Sequence, residues 1–134
     1  MSLDYLLSVL VWTGAGAVLL FLLMFIDSLF TRYKDMEEIK KGNMAVTTRF
    51  VIKLMSQGYI LSQSIIKSDD LLEALAVSII SFVVLLILEL IVRIALRASV
   101  QLNLDQGTKD GKVAHGLFAG SLHAVGALII AACL

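Results

Sequence analysis

Glu38-Ile39-Lys40-Lys41-Gly42-Asn43-Met44-Ala45-Val46 ends one helix and starts another. Gly42-Asn43 breaks the charged run that precedes it. The Asn43 side-chain oxygen can accept an orphan N–H of the next helix, so this residue reads as an N-cap. The helix it opens runs to about Ile66 and is long enough to cross a bilayer. It nevertheless carries Arg49, Lys53, Gln57 and Gln63. Whether this segment crosses decides the topology of the chain.

Outward from that point lie three plainer apolar segments. Tyr5 to Ile26 holds no charge between Asp4 and Asp27. At about 1.5 Å per residue it is long enough for a hydrocarbon core of about 30 Å. Leu71 to Val92 is apolar except for Glu73 and Glu89, and Val113 to Leu134 holds two histidines and no formal charge. No basic residue precedes the first run and no small-residue cleavage site closes it, so a retained span is expected rather than a signal peptide. The second segment is different. The stretch between Lys53 and Lys67 is too short to cross. Either the span begins near Met44 and takes Arg49 and Lys53 into the membrane, or the segment is re-entrant or interfacial.

The crossing reading closes the topology. Arg32, Lys34, Lys40 and Lys41 lie in the first loop, Arg93, Arg97, Lys109 and Lys112 in or beside the third, and Arg49 and Lys53 nearest the first. Only Lys67 belongs to the other side. The positive-inside rule then makes the loaded side cytoplasmic and puts both termini outside. The expected fold is an all-α membrane protein, one domain over residues 1–134, with four transmembrane helices. They form two parallel-repeat helical hairpins, repeat one 1–67 and repeat two 70–134. Each half has an apolar helix, an acid near its inner end (Asp27, Glu89), a charged inner segment, a Gly-containing start and a return helix. Any symmetry axis lies along the membrane normal. Leu29, Phe30, Tyr33, Met36 and Ile39 recur at helical spacing, so helices one and three are expected to continue past the membrane. Thr108 and Asp110 are the expected caps of the last span.

Composition excludes several classes. Hydrophobic residues make up 59% of the chain, well beyond a soluble domain. Lys+Arg and Asp+Glu are both 11, without the basic excess of a nucleic-acid binder. One cysteine, Cys133, allows neither an intrachain disulfide nor a thiolate metal cluster. There is no phosphate loop, no H-E-x-x-H and no nucleophile motif, so neither enzymatic activity nor a cofactor is expected.

Thr31-x-Tyr33, the Glu38 to Val46 stretch with its Gly42-Asn43 step, and the closing Gly120, Gly126, Ala131-Ala132-Cys133 pattern resemble the bacterial domain of unknown function 350, a family of small inner-membrane proteins. The resemblance covers nearly the whole chain. It implies four membrane helices in two related hairpins, and no mechanism. Glu38, Gly42 and Asn43 are the motif residues it marks. The helix after Gly42-Asn43 departs from the family's pattern of small uncharged residues, often with a proline: here it holds Arg49, Lys53 and Gln57 and no proline.

At 100° per residue, Arg49, Lys53, Ser56, Gln57, Gln63, Ser64 and Lys67 fall within an arc of roughly 120°, interrupted by Ile60. Such a stripe faces protein or water, not lipid. Three readings stand: a lined pathway, a face buried against other helices, or an interfacial helix. Arg49 is close enough to the helix start to snorkel, and Lys53 is deeper. Asp27 and Glu89 are the available charge partners, with Arg93 one turn beyond Glu89 as a simpler i,i+4 partner. His115 and His123 share a small-residue face with Gly116, Ala119 and Gly120, a packing pattern; at eight residues apart they do not suit one metal ion. His123 could relay protons. The expectation is a homo-oligomeric small-solute or ion channel or transporter in the lipid bilayer, lined by Arg49, Lys53, Gln57, Gln63 and His123. The alternative is a non-transport subunit that recruits a cytoplasmic or membrane partner through its inner extensions.

Overall fold

The computed structural model describes residues 2–134 and is all-helical among them. Its elements are α1 (Leu3–Ser28), α2 (Asp35–Lys40), α3 (Met44–Lys67), α4 (Leu71–Ser99), α5 (Leu104–Lys109) and α6 (Val113–Cys133). The order is long, short, long, and then the same again.

Three of the long helices, α1, α4 and α6, are long and apolar enough to cross a membrane. The fourth, α3, has 24 residues, about 36 Å at 1.5 Å per residue, but its polar content sets it apart. The distribution of side chains is inside-out relative to a water-soluble protein. Leu10, Phe21, Phe25, Leu72, Ile80 and Ile129 are exposed, whereas Asp27, Arg49, Lys53, Gln57, Glu89 and His123 are buried. Apolar surface on this scale is unfavourable in water and costs nothing against acyl chains. The arrangement is compatible with a membrane protein.

Helix α3 is the centre of the packing, most extensively against α6 and next against α4. The small face of α6 permits this. A Cβ added to Gly116 would lie 2.2 Å from the Ala45 carbonyl oxygen, so the two backbones touch where only glycine fits. Ala119, Gly120, Ala127 and Ala131 continue the buried face. Phe118, Val125 and Ile129 face outward. Small apolar clusters, Leu23-Phe82-Leu86 and Ile60-Leu85-Ala127, fill the remaining space.

The two short helices end alike. Asn43 N–H donates to Glu38 O and Lys112 N–H to Gly107 O, each five residues back, with Gly42 and Gly111 between them at positive φ. This is the Schellman closure, which favours glycine at that position. Asn43 then caps α3 by accepting from the N–H groups of Ala45 and Val46.

Two expectations require correction. Helix α4 does run on past Arg93, to Ser99, but α1 stops at Ser28. The Thr31 hydroxyl donates to the carbonyls of Ser28 and Tyr33, a local alternative to helical pairing. The spacing of Leu29, Phe30 and Met36 is therefore not a helical stripe, since all three are exposed. Neither Thr108 nor Asp110 caps α6: its N-cap is Lys112, with no side-chain cap bond.

Gly116→Ala is expected to lower the stability of the folded protein by about 1–3 kcal/mol, the usual range for overpacking. Gly14, which has nothing within 4 Å of an added Cβ, should accept alanine without loss. Thermal melts of the two variants in the same detergent check the difference.

Candidate functional site

The four long helices each contribute one or more ionisable side chains to a continuous buried chain of contacts. Arg49 and Lys53, one turn apart on α3, share a face of that helix. Lys53 Nζ donates to Asp27 Oδ1 of α1 at 2.5 Å and to Glu89 Oε2 of α4 at 2.8 Å. The other oxygen of Glu89 lies 2.7 Å from Nδ1 of His123 on α6. On the opposite side, Arg49 Nη2 donates to Asp27 Oδ2 at 3.3 Å. Arg49 Nη1 lies 3.8 Å from Asp35 Oδ1 on α2. The Tyr33 ring sits under the guanidinium, 6.0 Å from its carbon.

These groups are sealed from solvent: Lys53 is 0% exposed, Asp27 1%, His123 2% and Arg49 3%. A charge in such a medium costs several kcal/mol unless compensated. Asp27 compensates two cations and Lys53 two carboxylates, so the interior of the series is matched. Hydrogen bonding is less complete: both carboxyl oxygens of Asp35, Nη1 of Arg49 and Nε2 of His123 meet no hydrogen-bond partner.

The polar arc of α3 is thus turned into the bundle from Arg49 to Ser64, while Lys67 at its end is exposed. Ser56 and Ser64 donate back to the carbonyls of Ile52 and Ile60. Gln57 Nε2 donates to the carbonyl of Ser78 on α4 at 3.2 Å. Gln63, farther along, is half-buried and takes no part in the ionic series. The simpler partner suggested for Glu89 is not used. Arg93 pairs instead with Asp105 of α5 at 2.7 Å, because Glu89 points inward to Lys53 and His123.

The motif residues have a different task. The Asn43 amide nitrogen is 3.1 Å from Glu38 Oε1 and 3.0 Å from the carbonyl of Lys109, next to that of Thr108. It clasps the first connection to the second. Donation from Asn43 holds the Glu38 carboxyl below its ordinary range.

A cleft of about 920 Å³ opens between the end of α1, α2 and the start of α3. Phe21, Phe25 and Phe50 line its apolar part, and Tyr33 and Asp35 lie at its inner side. Burial pushes the Asp35 carboxyl up, with the Arg49 guanidinium pulling the other way. Burial also pushes the Tyr33 hydroxyl up. Asp35 and Tyr33 were not singled out as site residues by sequence. Arg49 and Lys53 already balance Asp27 and Glu89, so no missing charge called for Asp35, and a six-residue helix has no readable face.

The helices of the described residues, with an apolar exterior and an ionic interior, are compatible with a membrane class of protein. Its sequence matches the profile of the domain of unknown function 350 (DUF350) over residues 1–134, and the chain belongs to that family. Searches of curated proteins and of solved structures returned no match.

Asp27→Asn is expected to destabilise the fold by about 3–5 kcal/mol, because it removes the carboxylate that two buried cations share. Asp35→Asn should cost nothing or stabilise. The Asp35 carboxyl is raised by folding, so its protonation favours the folded state, and stability rises as pH falls through that raised value. Glu38 acts in the opposite sense: its contribution is present above its ordinary 4.5 and is lost as pH falls through its lowered value. Melting temperature against pH checks both: the wild type should gain on mild acidification, and Asp35→Asn should not.

Proposed function

We propose that this is a four-span protein of the bacterial inner membrane, with α3 crossing as well as α1, α4 and α6. The two halves, residues 1–67 and 70–134, form hairpins related by an axis along the membrane normal, and both termini lie outside. Supporting this reading are the length of α3, its position at the centre of the bundle, and the two glycine closures that end α2 and α5 alike. Basic residues favour the side of α2 and α5 as cytoplasmic.

We infer an oligomeric transport role, moving an ion or small solute by way of the polar face of α3. The carrying observation is that Asp27, Lys53, Glu89 and His123, from four different helices, meet inside the bundle. Ionisable groups at membrane depth are costly and mark ion or proton pathways by default. Inside one chain this face is occupied by α1, α4 and α6, so movement of solute requires contact between copies or a parting of the helices. The reading involves no catalytic step, cofactor or nucleic acid. Its rival is a subunit that transports nothing and recruits a protein partner through the charged inner segments.

The test is flux in proteoliposomes, with a pH-sensitive dye inside and defined salts outside. Gln57→Leu leaves the ionic series intact and removes the bond to Ser78. It is expected to reduce flux roughly tenfold, equivalent to about 1.4 kcal/mol on a barrier. Wild-type flux no greater than that of empty liposomes would make transport the wrong class.

A further inference from the structure

Helix α4 is longer than a membrane needs. Its 29 residues make about 44 Å at 1.5 Å per residue, against a hydrocarbon core of about 30 Å. Counted from Leu71, the roughly 20 residues of a span end near Leu90. Arg93 and Arg97 follow about one and two turns beyond it, on one face of the helix. They stand at the level of the headgroups, on the side of α2 and α5.

A small pocket of about 160 Å³ lies there, between the connection after α1, the end of α4 and the start of α5. Its lining is of two kinds. Phe30, Leu90, Ile94 and Leu102 are apolar, while Arg32, Arg93 and Arg97 set three guanidiniums against one carboxylate, Asp105. Arg93 and Asp105 cancel each other. Arg93 Nη1 donates to Asp105 Oδ1 at 2.7 Å, and both side chains are mostly buried. Arg32 and Arg97 are exposed, and neither pairs with a carboxylate among the described residues. The pocket therefore carries two uncompensated positive charges.

We propose that this pocket seats the phosphate of an anionic glycerophospholipid from the leaflet on the α2 and α5 side. Arg32 and Arg97 hold the headgroup, and the acyl end leaves past Phe30 and Ile94. Charge selects the class of lipid. The planar fork of a guanidinium matches the oxygens of a phosphate. A zwitterionic headgroup would bring its own ammonium into a pocket that is already positive; a headgroup of the phosphatidylglycerol type brings none. Basic pockets between helices at a membrane face bind anionic headgroups in this way.

The apolar part of the lining separates a lipid from a free phosphate ion. Phe30 is 47% exposed and Ile94 68%, so the pocket opens onto the apolar exterior of the bundle. Inorganic phosphate gains nothing from such a wall, whereas the glycerol and upper acyl carbons of a lipid are covered by it. The larger cleft beside α2 is a weaker seat for an anion, because on its rim Lys34 already pairs with Glu37 and Lys41 with Glu38. A lipid held by Arg32 and Arg97 ties the connection after α1 to α4. The inference needs α1 and α4 in the membrane; it does not need α3 to cross or anything to be transported.

The test is native mass spectrometry of the full chain in a neutral detergent, titrated with phosphatidylglycerol and, separately, with phosphatidylcholine of the same chains. The first phosphatidylglycerol should bind about tenfold more tightly than the first phosphatidylcholine. Arg32→Gln and Arg97→Gln should each weaken phosphatidylglycerol roughly fivefold, and the double variant about 25-fold, with phosphatidylcholine unchanged. Lys40→Gln removes an exposed cation of the same side that does not line the pocket, and should leave both affinities as they are. Millimolar inorganic phosphate should not displace the lipid. Circular dichroism confirms that each variant is helical. Equal binding of the two lipids, a loss in Lys40→Gln as large as in the arginine variants, or displacement by inorganic phosphate overturns the proposal. A protein that shows no flux can still pass this test, so the transport reading can fail alone.

Discussion

The ammonium of Lys53 is the group on which the rest of the structure depends. It is fully buried between the carboxylates of Asp27 and Glu89, which come from two different helices packed against α3. Removing any one of the three leaves a charge that a low-dielectric interior cannot tolerate without rearrangement. This fixes the rotation of α3, since Arg49 and Gln57 lie on the same arc and must then point inward as well. It also fixes how far α1 and α4 slide along α3, because Asp27 and Glu89 have to reach one nitrogen. Hydrophobic packing alone would not choose that register. The apolar faces of α1 and α4 are nearly uniform, and lipid competes equally for them.

Close approach makes the arrangement possible. Gly116 brings the α6 backbone against Ala45 at the start of α3, and the buried alanines of α6 keep the helices near one another. His123 lies on the same small face and so arrives beside Glu89 without a long side chain to carry it there. At the end that carries α2 and α5, the Asn43 amide ties the first connection to the carbonyls of the second. The Gly42-Asn43 step is in this chain a fastening between its two connections. The clasp and the ionic series occupy different levels of the bundle, and one can vary without the other.

Much of this was legible in the sequence, for physical reasons. Arg49, Lys53 and Gln57 share an arc at helical spacing, which in a spanning helix faces protein or water and not lipid, and the structure turns it against the other helices. Asp27 and Glu89 were the acids within reach. Asn43 sits after a glycine in a position only a cap explains. Other features needed three dimensions. Glu89 could have paired with Arg93 one turn on, and only the placement of α5 shows that Asp105 takes that cation. The break after Ser28 depends on a threonine hydroxyl competing for carbonyls, against an apolar spacing that argued for more helix. Asp35 sits in a short charged helix that reads as solvated surface, yet tertiary packing buries it against Arg49.

The passage of α3 through the bilayer, with its cationic side shielded from lipid, is most directly tested by sidedness. Lys41→Cys and Ser68→Cys, each with Cys133 replaced by serine, would be labelled in intact cells with a membrane-impermeant maleimide. The account predicts reaction at position 68 from outside and reaction at position 41 only after the membrane is opened. Equal labelling of both positions from one side would contradict it, and the buried ionic series would then have to be explained without a crossing helix.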